Sequence, residues 1–282
     1  MPFLKSTVAK TRQAPEKIRL GVIGCGNMGQ AFLKALLSEK ILSANQIVVS
    51  DLRTEVIDSL QRKWKFSVRD NRQLVLSSQV VVIAVKPPQV ELVLKEVKDC
   101  FSEGKLILSV AAGITTRFIE NCLAPAKIGV VRLMPNILVT VNQGVVAYTP
   151  GRFAHQADGL VKRLFQPLGM VIKIREDMMD GFTALSGSGP GYLFYLAEIL
   201  EKIARKWGFP PKDCRTIVSS LLLGTGLMLK KEKKDAATLK EKVCSPGGTT
   251  LAGLAVLERR KLSLILQEAV KAAAERSKQL TR

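Results

Sequence analysis

The residues with the clearest chemical meaning are the glycines of Gly24-Cys25-Gly26-Asn27-Met28-Gly29. An apolar segment, Ile18–Ile23, precedes them and a segment with helical apolar spacing follows, which is the context that a dinucleotide-binding turn requires. Gly24 permits the tight turn, Gly26 lets the backbone approach a pyrophosphate, and Gly29 allows close packing of the helix on the strand. The motif predicts a nucleotide site; the alternative is a glycine turn without a ligand.

The end of the second predicted strand, Ser50-Asp51-Leu52-Arg53, bears on the choice of nucleotide. The N–H groups of Asn27 and Met28 at the start of the first helix offer a site for the pyrophosphate anion. An acid such as Asp51 usually binds the adenosine ribose hydroxyls and repels a 2′-phosphate, whereas a nearby arginine such as Arg53 does the reverse. The two signals conflict, so NADH and NADPH both stay open. Plain surface charge at a strand end is the alternative for both residues.

Two further segments are candidates for the same site. Ala84-Val85-Lys86-Pro87 follows the third predicted strand, at the carboxyl edge of the sheet, where ligands bind in open α/β folds. We expect Lys86 to lie beside the cofactor rather than to be a simple surface lysine. Asn71 is predicted to lie in the loop before that strand, from which it could reach the adenosine or merely cap the helix that follows.

The chain contains a single histidine, and this limits the chemistry. His155 lies in a turn-like polar stretch and is expected to be exposed, so dehydrogenases that need a histidine base are disfavoured. Reduction of an imine fits better, because a protonated C=N bond is already electrophilic. Such an enzyme needs orientation, a polar contact to the nitrogen and a seat for any carboxylate.

The segment Ser245–Thr250 offers those groups. Pro246 and Gly247-Gly248 predict a tight turn that leads into a helix over Leu251–Glu258. Backbone N–H groups at the start of that helix can hold a carboxylate, and the hydroxyls of Ser245, Thr249 and Thr250 add donors. The alternative is a well-capped helix without a ligand.

Alternating strand and helix patterns position these segments in the first part of the chain. The alternation predicts an α/β fold with a doubly wound parallel sheet. The predicted strands are Ile18–Ile23, Gln46–Ser50, Val80–Val85, Leu106–Val110, Ile128–Leu133, Gly144–Tyr148 and Gly169–Ile174, and the predicted helices are Met28–Leu37, Thr54–Lys63, Val90–Val97 and Thr116–Cys122. After Glu176 the strand patterns stop. We therefore predict a flexible tail over 1–17, a nucleotide-binding domain over 18–176 and a helical domain over 177–282.

The helical part looks too apolar to be covered by its own chain. Gly191–Trp207, Lys212–Leu229 and Leu262–Leu280 are rich in Ala, Leu and Ile at helical spacing. An ordinary helical core is the alternative, but we favour a subunit interface, which makes the protein a homodimer.

Composition sets the remaining bounds. The 282 residues suit one large or two modest domains, and the net charge of +19 comes from 43 Lys and Arg against 24 Asp and Glu. No aromatic residues interleave the basic clusters, so we expect a solvated basic surface rather than a nucleic-acid site. No apolar run is long enough to span a membrane, and no cluster predicts a metal site. Five scattered cysteines suit the cytoplasm, and the tail lacks the pattern of a secretory signal, although a mitochondrial address is possible.

From about Ile18 to Leu280 the chain resembles the pyrroline-5-carboxylate reductases. The matching stretches are Gly21–Met28, Ala84–Pro87, Ser109-Val110-Ala111-Ala112-Gly113, Arg132-Leu133-Met134-Pro135-Asn136, Ser186-Gly187-Ser188-Gly189-Pro190 and Cys244–Thr250. The resemblance implies NAD(P)H-dependent reduction of Δ1-pyrroline-5-carboxylate to L-proline. It also implies a Rossmann-type domain followed by an all-helical dimerisation domain, with dimers that often assemble further to decamers.

The resemblance also implies roles for individual residues. Cofactor contacts fall on Ile23, Gly24, Cys25, Gly26, Asn27, Met28, Asn71, Ala84, Val85, Lys86 and Pro87, beside the Ser50 and Asp51 singled out above. Ser245 and the backbone of Thr249 would hold the substrate carboxylate, and Thr250 would hydrogen-bond the ring nitrogen as the catalytic residue. Two departures stand out: Ile137-Leu138 replaces a frequent Thr-Pro, and Gly191 stands where alanine is common. The first departure lies near the expected place of the nicotinamide, so the substrate preference could differ from that of the family. The alternatives are a reductase of another cyclic imine and a nicotinamide-nucleotide sensor without turnover.

Overall fold

A computed structural model describes residues 18–281, so the predicted flexible tail over 1–17 lies outside the described residues. The described chain divides into two compact units. One contains residues 18–187 together with 274–281, and the other contains residues 188–273.

The first unit contains an eight-stranded sheet with the order β3-β2-β1-β4-β5-β6-β7-β8. The strands are β1 (Leu20–Ile23), β2 (Ile47–Ser50), β3 (Ser67–Val68), β4 (Val80–Ile83), β5 (Leu106–Ser109), β6 (Gly129–Pro135), β7 (Gly144–Pro150) and β8 (Gly169–Lys173). All neighbouring pairs are parallel except β6 and β7, which are antiparallel. The predicted Rossmann-type sheet is therefore confirmed, with one antiparallel pair that the sequence patterns did not reveal.

Helices cover both faces of this sheet. They are α1 (Asn27–Ser38), α2 (Thr54–Lys63), α3 (Asn71–Ser77), α4 (Pro87–Val97), α5 (Thr116–Leu123), α6 (Asp158–Phe165) and the short α7 (Met179–Phe182). Successive residues of β4 pack into different cores: Val82 joins the cluster that contains Phe32 of α1, whereas Ile83 joins the cluster that contains Leu94 of α4. Burial on both faces explains why β4 reads as an unbroken apolar run.

Four elements of this unit, β3, α3, α6 and α7, were not predicted, because each is only two to eight residues long. The predicted loop position of Asn71 is wrong, since Asn71 is the first residue of α3. The capping alternative for Asn71 is wrong as well: the Asp70 carboxylate caps this helix by accepting the N–H of Gln73 at 2.8 Å. His155 is exposed, as predicted.

The second unit is helical. It contains α8 (Gly189–Lys206), α9 (Pro211–Lys231), α10 (Ala236–Lys242) and α11 (Thr249–Arg259), and α12 (Leu262–Leu280) begins in it. The three long helices lie within a few residues of their predicted spans, whereas α10 was not predicted. α8 and α9 pack against each other. Of the helices within 18–281, none combines the length and apolar character that crossing a membrane requires.

Candidate active site

Three loops of the first unit meet at the carboxyl edge of the sheet. β1 and β4 are neighbours, but the chain runs from β1 to β2 on one side and from β4 to β5 on the other. Such a reversal of strand order forms the crevice where open α/β sheets bind ligands. The N–H of Gly24 donates to the carbonyl oxygen of Ser50 at 2.8 Å, and the N–H of Ala84 donates to that of Ile23 at 2.8 Å. These contacts bring together three predicted segments: Ile23–Met28, Ser50–Asp51 and Ala84–Pro87.

The three glycines of the turn meet different surroundings. Gly24 has a φ of +98°, and a Cβ there would lie 2.8 Å from the carbonyl carbon and oxygen of Ala84. A Cβ at Gly29 would overlap the carbonyl oxygen of Gly24. A Cβ at Gly26, in contrast, would meet no described atom within 4 Å. Packing within the chain therefore requires Gly24 and Gly29, whereas Gly26 faces open space.

The start of α1 offers unused hydrogen-bond donors beside that space. Gly26 is the N-cap residue, and no side chain caps the helix. The first intrahelical bond runs from the N–H of Gln30 to the carbonyl oxygen of Gly26 at 2.9 Å. The N–H groups of Asn27 and Met28 precede this bond and are suited to an anion. The residues present therefore fit the pyrophosphate of a dinucleotide.

Asp51 is tied both to the turn and to Arg53. Its Oδ2 accepts the N–H of Cys25 at 2.5 Å, and the Arg53 guanidinium donates from Nε to Oδ1 and from Nη2 to Oδ2, each at 3.0 Å. The Asp51 side chain is 7% exposed and that of Arg53 is 50% exposed. Burial raises the pKa of the Asp51 carboxyl, but hydrogen bonds from Arg53 and Cys25 outweigh it, so the pKa ends below its usual range.

Cys25 contributes its backbone rather than a reactive thiol. Its side chain is buried, and this burial, with a smaller effect of the Asp51 charge that Arg53 partly opposes, raises the pKa of the thiol to about 12. A thiol with that pKa is protonated at neutral pH and is a poor nucleophile.

The other two candidates for cofactor contacts lie at the starts of two helices, α4 and α3. Lys86 is exposed and immediately precedes α4. The side-chain amide of Asn71 donates to Oε2 of Glu96 in α4 at 2.8 Å. This bond uses one of its two amide hydrogens, so the predicted contact of Asn71 with the adenosine stays a prediction.

The sequence did not predict that Arg132 of β6 pairs with Glu176, which follows β8 in the chain. The Arg132 side chain is 2% exposed, and its Nη1 donates to Oε1 of Glu176 at 2.5 Å. The hydroxyl of Thr116 donates to the other oxygen of that carboxylate at 3.2 Å. The Nη2 atom of Arg132 is buried without a hydrogen bond within the described chain. The motif that contains Arg132 is visible in the sequence, but no sequence pattern marks its partner Glu176, which lies 44 positions away.

Asn136 connects two other motifs of the first unit. Its side-chain amide donates to the carbonyl oxygen and the hydroxyl of Ser186, both at 3.3 Å, and its Oδ1 accepts the N–H of Val145 at 3.2 Å. Asn136 is 4% exposed. It therefore holds the π-helical segment Thr183–Gly187, which precedes α8 in the chain.

The predicted substrate segment forms one turn in the second unit. The N–H of Gly248 donates to the carbonyl oxygen of Ser245 at 2.9 Å, Gly247 has a φ of +70°, and a Cβ at Gly248 would overlap the Ser245 hydroxyl. α11 then begins at Thr249 without a side-chain cap. Ser245, Thr249 and Thr250 are exposed. Their hydroxyls and the N–H groups at this helix start offer donors to a carboxylate. The alternative, a well-capped helix, is not supported, because no side chain caps α11.

Within residues 18–281, no three His, Cys, Asp or Glu side chains are grouped as a metal site would require.

Comparison with known proteins connects both units to one family. Residues 176–280 match the family model of pyrroline-5-carboxylate reductase dimerisation, and residues 19–113 match a model described as NADP oxidoreductase, coenzyme F420-dependent. Pyrroline-5-carboxylate reductase 3 of Xenopus laevis is 33% identical over 264 residues, which are 93% of this chain and 96% of the relative.

Solved structures are similar over the same length. A pyrroline-5-carboxylate reductase from Coxiella burnetii matches with a TM-score of 0.87 and 32% identity, over 94% of this chain and 99% of that one. Pyrroline carboxylate reductase of Plasmodium falciparum, solved with NADP bound, matches with a TM-score of 0.86 and 27% identity, over 95% of this chain and 100% of that one.

Proposed function

The chain belongs to the pyrroline-5-carboxylate reductase family, and we infer that it reduces Δ1-pyrroline-5-carboxylate to L-proline with NADPH or NADH, the last step of proline biosynthesis. The observation that carries this inference is the open start of α11 behind the Ser245–Thr250 turn, in a chain that also has a dinucleotide turn. A carboxylated cyclic imine needs both features, one for its carboxylate and the other for the hydride donor.

The cofactor site draws on the first unit. Ile23–Met28, Ser50, Asp51, Asn71 and Ala84–Pro87 hold the dinucleotide, with its pyrophosphate at the open side of Gly26 and the uncapped start of α1. When bound, the nicotinamide supplies the hydride. The buried, protonated Cys25 and the absence of a histidine from these segments leave the protein to orient the reactants rather than to form a covalent intermediate.

The substrate site draws on the second unit. Ser245 and the N–H of Thr249 bind the carboxylate, where the partial positive charge of the α11 N-terminus favours an anion. The Thr250 hydroxyl bonds the ring nitrogen and orients the C=N bond, which gains a hydride at carbon and ends with a proton on nitrogen. Water can protonate the imine nitrogen beforehand, so no strong protein acid is needed.

We propose the same wider organisation for the whole protein. A nucleotide-binding domain over 18–176 precedes a helical domain over 177–282, and the match to a dimerisation model that begins at residue 176 supports this boundary. Two subunits associate through the helical domain, and dimers assemble further, to decamers. We propose the cytoplasm as its location, because its five cysteines are free, and we propose neither a nucleic acid nor a membrane as a partner.

The test is NAD(P)H oxidation by the purified chain with Δ1-pyrroline-5-carboxylate, with L-proline quantified as the product. Stoichiometric proline formation is the expected result. Turnover with a different cyclic imine, but not with this one, would reassign the substrate. Cofactor binding without turnover of any cyclic imine would instead favour a nicotinamide-nucleotide sensor.

A further inference from the structure

The carboxylate of Asp51 is saturated by the chain itself. A carboxylate has about four acceptor positions, and four N–H groups donate to this one: the backbone N–H groups of Cys25 and Arg53, and Nε and Nη2 of Arg53. An acid that reads a ribose must accept bonds from its two hydroxyls. Asp51 has no acceptor position left for them, and only 7% of its side chain is exposed.

Arg53, in contrast, has side-chain donors that Asp51 does not use. Its planar guanidinium carries five N–H donors in a rigid fork, and two of them bind Asp51. The remaining donors belong to a side chain that is 50% exposed. Because the fork on Asp51 fixes its plane, the guanidinium is held in place before any ligand arrives, and less rotamer entropy is lost on binding.

The position of this pair suits the adenosine end of a dinucleotide. Asp51 accepts the N–H of Cys25, so it anchors Arg53 beside the turn whose neighbouring N–H groups are open to an anion. Leu52, between the two charged residues, is 91% exposed and offers an apolar surface on which the flat adenine ring can pack. The ion pair also neutralises much of the Asp51 charge, which lowers the repulsion of a nearby phosphate.

We propose that Arg53, held by Asp51, binds the 2′-phosphate of NADPH, and that this chain therefore prefers NADPH to NADH. Asp51 acts as a positioning residue that fixes the arginine and the turn, and not as the reader of the ribose. This inference rests on the proposed function and names the cofactor of the same site.

The first experiment measures dissociation constants of NADPH and NADH by calorimetry for the wild type, Arg53→Ala and Arg62→Ala. Arg62 is an exposed arginine in the last turn of α2 and serves as the matched control. We expect the wild type to bind NADPH at least about tenfold more tightly, and Arg53→Ala to reduce that preference by about tenfold or more, as loss of a bidentate phosphate contact implies. Arg62→Ala should keep the preference. Equal or tighter binding of NADH by the wild type, or an unchanged preference in Arg53→Ala, would overturn the proposal.

A second variant separates the two roles of Asp51. If Asp51 positions Arg53, Asp51→Asn weakens NADPH at least as much as NADH, because the arginine loses its anchor. If Asp51 reads the ribose, the same change weakens NADH by about tenfold or more and spares NADPH, which refutes our assignment. Binding of 2′,5′-ADP against 5′-AMP gives the same readout without the nicotinamide. Turnover assays distinguish failure of this inference from failure of the proposed function. Proline formation without an NADPH preference would refute the inference alone. Absence of turnover with either cofactor would refute the proposed function.

Discussion

Thr250 lies in the first turn of α11 with an exposed side chain. If its hydroxyl bonds the substrate nitrogen, Thr250→Ala should lower kcat by about 10- to 100-fold, because one hydrogen bond in the transition state is lost. Thr250→Ser keeps the hydroxyl and should retain most of the activity. Steady-state kinetics and calorimetric titration of the cofactor check this, since cofactor affinity should not change. Wild-type turnover of Thr250→Ala would remove this residue from the site.

Gly26 and Gly24 offer a contrast between ligand binding and folding. A Cβ at Gly26 meets open space, so Gly26→Val should fold normally and lose measurable nucleotide binding, because the side chain occupies the pyrophosphate position. Gly24→Val should instead lower the melting temperature, since φ is +98° there and Ala84 lies 2.8 Å from the new Cβ. Thermal melts with and without NADPH distinguish the two. Retained nucleotide affinity in Gly26→Val would refute the assignment of the turn.

The contact between β6 and the segment after β8 is an element-scale feature with a measurable stability. Arg132 in β6 is buried and pairs with Glu176, whose side chain is 33% exposed. Glu176→Ala leaves the arginine without its main partner, which should cost about 2 to 3 kcal/mol. This is at or below the lower end for a fully buried pair, because Glu176 is partly exposed. The melting temperature should fall by about 5 to 10 °C.

The neighbouring Asp177→Ala is the matched control, because Asp177 pairs with Arg175 on the surface, where the two side chains are 66% and 77% exposed. Exposed pairs of this kind contribute little. Differential scanning calorimetry should therefore separate the two variants clearly. Equal melting temperatures for Glu176→Ala and the wild type would show that the Arg132 pair does not hold this part of the sheet.

Elements with strong local patterns were predictable, and those defined by distant contacts were not. The apolar β4 and the periodic α12 reveal themselves within a few residues of sequence, because burial on two faces or one stripe dictates residue type. The seven-residue α3 depends on its Asp70 cap and on packing, so Asn71 was misplaced. The antiparallel pairing of β7 with β6 follows from a connection that is too short for a parallel crossover, which the strand patterns themselves do not show.

The candidate site shows the same division. The glycine turn and the Ser245–Thr250 turn could be predicted, because backbone conformation and close approach restrict these positions to particular residue types. The conflict between Asp51 and Arg53 could not be resolved from the sequence, since both readings fit their spacing. The geometry of the fork and the four bonds on one carboxylate decided which residue has free donors.

At the scale of the whole molecule, the helical unit leaves apolar side chains exposed. Phe194 and Tyr195 of α8 are 63% and 65% exposed, Leu221 and Leu227 of α9 are 54% and 52% exposed, and Ile265 of α12 is 56% exposed. Monomeric proteins rarely expose apolar surface on this scale, and water would penalise each such side chain by roughly 25 cal/mol per Å² of apolar area. A second copy of the same surface removes that cost, as an isologous dimer interface does.

The corresponding prediction is that the chain is at least a dimer at micromolar concentration. Leu221→Glu places a charge on this exposed apolar surface and should shift the protein toward monomers, because burial of an unpaired carboxylate is costly.

Leu92→Glu is the matched control: Leu92 is 68% exposed on α4, in the nucleotide-binding unit, and its change should leave the assembly intact. Light scattering coupled to size exclusion gives the mass, and circular dichroism confirms that each variant is folded. A wild-type monomer, or a folded Leu221→Glu with the wild-type mass, would contradict an interface on these helices. A mass of four, six or any larger even number of chains would support further assembly of dimers. In such an assembly, heterologous contacts between dimers add to the isologous interface within each dimer and do not replace it.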